Sequence, residues 1–341
     1  MSAGRGPLAL VFLLTATAGC RDGAGPRSLE PPPVEVPPLP KPQDLPPDLG
    51  TRAFAHVRAL VGFGARNPGS PGWRRGLDYV AGQFEALGLP VRRDRFTDAK
   101  EGQTFENLVV RIPGGTRDFV VLGAHHDTKV TEGHEDPDHN FPFVGANDSA
   151  SGVGLLLALA AHWASHAPPV TLELVLFDGE ESIPFKWKLD RALFGSRRWV
   201  AEYRRLIQKD DAAPRLRAMI LLDMVAAADL QLDDDSNSDR DLKSIVLAAA
   251  KACGHERYFF RRTLAVTDDH LPFREAGIPV VDLIDLADNP QWHTRDDTLE
   301  HLAPSSLQVV GEVVLTALPA VARRYLEAEP AAPDRTEPRG R

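Results

Sequence analysis

Apolar residues fall into two rhythms along this chain. Short, largely apolar runs at 119–124, 171–177, 217–222 and 279–284 alternate with stretches at 150–164, 192–206 and 242–252 whose apolar positions recur at helical spacing. Such a run has little polar face to give to water, so each predicts a strand covered on both sides. Alternation with helices predicts a largely parallel sheet between two helical layers. A last helical pattern covers 305–326. Upstream, helical patterns at 51–61 and 73–87 flank the breaker Arg66-Asn67-Pro68-Gly69-Ser70-Pro71-Gly72, and strand-like runs follow at 91–96 and 105–112. No repeat or linker interrupts 51–326. The pattern therefore predicts a single α/β domain there, an α/β/α sandwich with a mixed, mostly parallel central sheet.

The two ends follow neither rhythm. Arg5, an apolar stretch at 7–14 and small residues at 15–19 precede Cys20, which is the layout of an export signal. Thr17-Ala18-Gly19-Cys20 resembles a bacterial lipoprotein box, with Thr17 where such boxes usually carry Leu. On that reading residues 1–19 are a lipoprotein signal peptide, and an acyl group on Cys20 holds the exported protein on the periplasmic or outer face of a bacterial membrane. Proline dominates 20–50, which reads as an extended tether, and 327–341 reads as a disordered tail. Cys253 is the one other cysteine, so an acylated Cys20 leaves no disulfide. A net charge of −9 offers no basic face to a phosphate backbone. Peptides or small molecules, not nucleic acid, are the expected partners.

In open sheets of this kind ligands bind beyond the carboxyl ends of the strands, and the sequence concentrates acids and imidazoles there. His125-His126-Asp127 follows the run at 119–124, Asp178-Gly179-Glu180-Glu181 follows 171–177, and Asp223 follows 217–222. His293 comes a loop after 279–284, and Asp148 precedes the helix at 150–164. Singly each has an ordinary explanation, Asp148 as a helix cap and the Glu180-Glu181 pair as solvated charge. Together they form a nitrogen and oxygen donor set without cysteine, which suits zinc as one ion or as two about 3.5–4 Å apart. Strand alternation sets His125 and Asp127 on one side, where Asp127 can accept the second ring proton, and turns His126 away into a structural role. Glu180 and Glu181 face different directions, so one can bind a metal while its neighbour handles a proton.

These segments resemble the zinc aminopeptidase superfamily and, within it, the glutaminyl-peptide cyclotransferases or glutaminyl cyclases. The resemblance runs in order from about 66 to 301 through Pro68-Gly69-Ser70-Pro71-Gly72, His125-His126-Asp127-Thr128-Lys129, Phe143-Val144-Gly145-Ala146-Asn147-Asp148-Ser149 and Phe177-Asp178-Gly179-Glu180-Glu181. It continues through Leu221-Leu222-Asp223-Met224, Asp268-Asp269-His270-Leu271-Pro272-Phe273 and Trp292-His293-Thr294. For a cyclase it implies that Asp148, Glu181 and His293 bind one zinc and that Glu180 is the general base and acid. Asp223 and Asp268 would orient Glu180 and the reacting amine, Asp127 and Asp269 would support from behind, and Trp187 and Trp292 would line the pocket. For the aminopeptidase branch it implies two zincs bridged by Asp148, with His125 and Asp223 completing the second site. The loop Leu286-Ala287-Asp288-Asn289-Pro290 lacks the aromatic that cyclases tend to place before the Trp-His pair.

Two reactions follow from this resemblance. One is cyclisation of an N-terminal Gln to pyroglutamate with release of ammonia, and the other is hydrolysis of the first peptide bond with Glu180 as base. A third expectation, a surface binding protein that has kept the fold and lost its chemistry, conflicts with the retention of every candidate ligand.

Overall fold

The computed structural model describes residues 34–36, 38–39 and 44–326. The expected signal at 1–19, Cys20, most of the expected tether at 20–50 and the expected tail at 327–341 lie outside the described residues. Helices α1 (Leu49–Val61) and α2 (Pro71–Ala86) come first. Ser70 starts α2 by accepting the Trp73 N–H at 3.0 Å, and Pro71 sits where its missing N–H costs no bond. Strands β1 (Val91–Thr97) and β2 (Thr104–Ile112) form an antiparallel pair. The alternating part then runs β3 (Phe119–His125), α3 (Ala150–Trp163), β4 (Thr171–Phe177), α4 (Phe194–Lys209) and β5 (Leu216–Asp223). After it come β6 (Asp234–Asp235), α5 (Arg240–Cys253), β7 (Thr263–Leu264), α6 (His270–Glu275), β8 (Val280–Ile284) and α7 (Pro304–Tyr325).

The main sheet has the order β1-β2-β4-β3-β5-β8, and β6 pairs with β7 separately. Strands β4, β3, β5 and β8 are parallel, while β1 and β2 run antiparallel to their neighbours. The strand pattern shows why the runs are largely apolar. Val120, Leu122 and Ala124 join the core formed with α1, α2, α3, α5 and α7, whereas Phe119 and Val121 face the core of α4 and α6. The same alternation divides Leu174 from Val175 and Ile220 from Met219 and Leu221. Each such side chain, fully buried, contributes about 1.5–3 kcal/mol. Helix α3 is apolar on nearly every side because it lies between α1 and the sheet. Helix α7 is long and apolar enough to cross a membrane, but it packs on α1 and α5 and most of it is buried in the fold.

From β3 the chain passes through α3 to β4 on one side, and it then crosses to place β5 on the other. The carboxyl ends of β3 and β5 therefore flank the switch in strand order, the usual place for a ligand in such a sheet. Contact with the domain begins before residue 51: Val36, Leu39 and Leu45 pack against the core, and the Val34 N–H donates to Asp241 Oδ1 at 3.2 Å.

The first turn of α3 is pressed against the end of β5. A Cβ on Gly152 would lie 2.2 Å from the Leu222 carbonyl oxygen. Gly152→Ala must push the helix off the strand and is expected to cost about 1–3 kcal/mol. Urea unfolding checks this as a lowered midpoint at unchanged slope, and an unmoved midpoint would mean that the approach is not so close.

Candidate metal and catalytic site

The ends of β3, β4 and β5, the segment before α3 and the loop after β8 all meet at this switch. Asp148, Glu181 and His293 offer donor atoms that lie within 4.8 Å of one another, and His125, Asp148 and Asp223 do the same. His293 Nε2 stands 2.9 Å from Glu181 Oε1 and 3.3 Å from Asp148 Oδ2. His125 Nε2 stands 3.1 Å from Asp148 Oδ1 and 3.3 Å from Asp223 Oδ1. Asp148 is thus common to both sets and turns one oxygen toward each. His293 holds a φ of 55°, a left-handed conformation that a non-glycine residue keeps only when its surroundings fix it. Trp292 stacks on its ring at 4.4 Å and Phe143 meets it edge-on at 5.8 Å.

The electrostatics show what these donors are built to hold. Burial favours neutral His293, yet Glu181 and Asp148 raise its pKa to about 10. Burial opposes charge on His125 too, and Asp223, Asp127 and Asp148 raise its pKa well above the usual value. Asp148 resists burial through the two imidazoles and stays below the usual carboxylate range. Asp148 Oδ1 and Glu181 Oε2 are buried with no hydrogen-bond partner. A dry crowd of carboxylates that stabilises positive charge at two points fits a divalent cation, and nitrogen and oxygen donors suit zinc.

Glu180 and Asp178 part company at Gly179, whose φ of 67° makes the turn. A Cβ there would meet the Phe105 ring at 2.5 Å. Asp178 turns inward and accepts Trp73 Nε1–H at 3.0 Å and the Glu106 N–H at 2.6 Å, so it is structural. Asp127, fully buried, accepts the N–H groups of Glu180 at 3.2 Å and Glu181 at 3.3 Å and stands 3.4 Å from His125 Nδ1. One carboxylate therefore supports the His125 ring and the backbone of both glutamates. His126 faces the other way, its Nε2 3.0 Å from the Glu106 carbonyl oxygen.

Glu180 borders a cavity of about 170 Å³ that is closed by Asp148, His293, Asp223 and Asp268 and walled by Trp187, Trp292 and a set of apolar side chains. Burial pushes the Glu180 pKa well above the usual glutamate range; His125 opposes this, and Asp268, Glu181 and Asp269 add to it. Burial, then the charge on Asp223, raises Asp268 to about 7. The resemblance implied a hydrogen-bond network from Asp223 and Asp268 to Glu180. Asp223 pairs with His125, and Asp268 accepts the N–H of Asp269. Asp268 and Glu180 line the same cavity, and the charge on Asp268 is one cause of the raised Glu180 pKa. Asp269 is fully buried behind it, outside the cavity lining.

Sequence reading gave Lys129 no role. Its ammonium is fully buried, donates to the Ser182 carbonyl at 2.6 Å, stands 3.4 Å from Glu181 Oε2 and lies 5.6 Å from the centre of the Trp187 ring. It sets a positive charge beside the Glu181 oxygen that does not face His293 and reaches from the donor side of the site to the aromatic wall. Its place in His125-His126-Asp127-Thr128-Lys129, just past a strand end that supplies donors, was the one available signal. The apolar wall of Met224, Val266, Ile284 and Leu286 was also not anticipated.

Fold and donor set together are those of a metal-dependent α/β enzyme. The sequence profile of peptidase family M28 matches residues 107–318, and the chain belongs to that family. It is 28% identical over 313 residues to a glutaminyl-peptide cyclotransferase-like protein of Bos taurus, covering 80% of each chain. The crystal structure of an Acidobacteriales bacterium glutaminyl cyclase superimposes with a TM-score of 0.72 at 30% identity, over 86% of this chain and 99% of that one. A Zn-dependent exopeptidase from Parabacteroides distasonis gives a TM-score of 0.70 at 26% identity, over 81% and 99%.

Proposed function

We propose that this protein is a zinc-dependent glutaminyl-peptide cyclotransferase, with Asp148, Glu181 and His293 holding the ion that its reaction uses. The observation that carries this reading is the position of Glu180, a buried carboxylate of raised pKa lining a small, apolar-walled cavity beside those three donors. Relatives named as cyclases and a structural neighbour named as a Zn-dependent exopeptidase support it.

When bound, zinc supplies a Lewis acid that polarises the side-chain amide carbonyl of an N-terminal Gln. Glu180 accepts a proton from the α-amine as its nitrogen forms a bond to the side-chain carbonyl carbon. That carbon then loses its amide nitrogen, which leaves as ammonia carrying the proton returned by Glu180. The peptide keeps all its other atoms as a pyroglutamyl chain, and no water is consumed. Trp187, Trp292, Ile284 and Leu286 give the cavity an apolar wall that disfavours water beside the reacting groups.

Release of ammonia from a Gln-initiated peptide tests the proposal, with the same peptide N-acetylated as comparison. Ammonia is expected from the free amine alone, and its absence from both removes the reading. As the proton acceptor Glu180 must be ionised, so kcat/KM is lost as pH falls through its raised pKa. The acid limb is expected well above the ordinary glutamate pKa of about 4.3, and Asp268→Asn, which removes a like charge, is expected to move it down. A limb at the ordinary value counts against Glu180 as base.

A second reading, hydrolysis of the first peptide bond, is favoured by the complete donor set of His125, Asp148 and Asp223. Zinc stoichiometry separates the two metal arrangements: one ion per chain fits the first, two ions the second. We further propose export and acylation at Cys20, on the sequence grounds given above. Mass analysis of the mature N-terminus tests this, and an unmodified Cys20 there would refute it.

A further inference from the structure

We propose that Asp297 and Arg66 are positioning residues for the metal: together they fix the backbone that carries Asp148, and Asp297 ties that backbone to the loop that carries His293. The inference rests on the proposed function only in taking Asp148 and His293 as ligands.

Asp148 is common to both donor sets, yet it sits in an irregular segment ahead of α3, with no ladder of its own to hold it. Two buried charges hold the segment from opposite sides. The Arg66 guanidinium donates to the carbonyls of Val144 at 2.7 Å and Gly145 at 2.9 Å, and its Nε to that of His126 at 3.3 Å. Asp297 Oδ1 accepts the Asn147 N–H at 2.7 Å, and its Oδ2 accepts the Asp148 N–H at 3.1 Å. Relative exposures of 1% for Arg66 and 2% for Asp297 mean that both groups have been taken out of water, and burial, with the charge on Asp148, pushes Asp297 up to about 7. Burying a charge is costly unless bonds compensate it, and here those bonds go to the backbone on either side of one ligand.

Asp297 follows His293 by four residues in the same loop. Its carboxylate spans two consecutive amides of a segment about 150 positions away. Charge-assisted pairs of this kind are short and directional. The segment is held from a third side, where Asn147 Oδ1 accepts the Ala226 N–H at 2.9 Å, just beyond Asp223. A shift of the His293 loop must therefore move Asp148 with it. Outer partners that orient ligands in this way typically set metal affinity by about 10- to 100-fold.

The test is competition of the full-length protein with a chromophoric chelator for zinc, without substrate. Asp297→Asn is expected to weaken zinc binding by about 10- to 100-fold, and Arg66→Lys to weaken it in the same direction. Asp233→Asn is the control, because Asp233 is also buried and accepts two consecutive amides, those of Leu286 and Ala287, but bonds neither to the segment that carries Asp148 nor to a donor. It is expected to leave zinc affinity unchanged. Unchanged affinity in folded Asp297→Asn, or an equal loss in Asp233→Asn, overturns the proposal. Should Asp297→Asn fail to fold, hydrogen exchange on the unsubstituted, metal-free protein decides: slow exchange across 145–149 supports the clamp, and exchange at the rate of an open loop rejects it. Because zinc is read without substrate, a protein that binds zinc but does not cyclise Gln refutes the function and not the clamp.

Discussion

Glu180→Gln is expected to cut turnover by about 100- to 10,000-fold while bound zinc stays at the wild-type level. Glutamine fills the same space in the cavity lining, and the backbone N–H of the residue still has Asp127 as its acceptor. The three donors Asp148, Glu181 and His293 are untouched. What the substitution removes is a group that takes a proton from the amine and gives it to ammonia. Turnover by released ammonia and zinc by elemental analysis are measured on the same preparation. Unchanged turnover would remove Glu180 from the mechanism, and loss of zinc would make it a ligand instead.

Glu181→Ala should remove zinc and activity together, and it should also weaken the fold. The substitution deletes the donor nearest His293 and leaves the Lys129 ammonium buried, with the Ser182 carbonyl but no carboxylate beside it. Breaking a buried pair by removing one partner costs about 3–5 kcal/mol. Chemical denaturation under chelating conditions isolates that cost from the lost metal. Added zinc is expected to stabilise the parent protein by about 3–4 kcal/mol at 100 to 1,000 times its Kd, and to leave Glu181→Ala unchanged. A variant with a full complement of zinc would show that the ion sits elsewhere.

Much of the fold was legible because burial on both faces leaves a local trace. Runs such as 119–124 and 171–177 are almost wholly apolar, Glu173 being the one charged residue in them, so the strands were visible with ends close to those observed. Helix α6 was not visible: it spans six residues from His270 to Glu275, contains Pro272, and is too short for a helical period to show. The pairing of Asp234–Asp235 with Thr263–Leu264 was hidden for the same reason.

The site was legible in a different way. Acids and imidazoles at successive strand ends must meet if the strands are parallel neighbours, so His125, Glu180, Glu181 and Asp223 could be placed together before any contact was known. Lys129, Arg66 and Asp297 could not. A charged residue looks like surface in sequence, and burial of its charge is decided by carbonyls and amides from distant segments. The bond between Asp297 and the Asp148 N–H spans 149 positions.

The central claim is that the donors beside Glu180 serve cyclisation of an N-terminal glutamine. Its most direct test is the mass of the products formed when zinc-loaded protein is incubated with a Gln-initiated peptide. The account predicts one product, the full-length peptide lighter by one ammonia. A shortened peptide accompanied by free glutamine would contradict it.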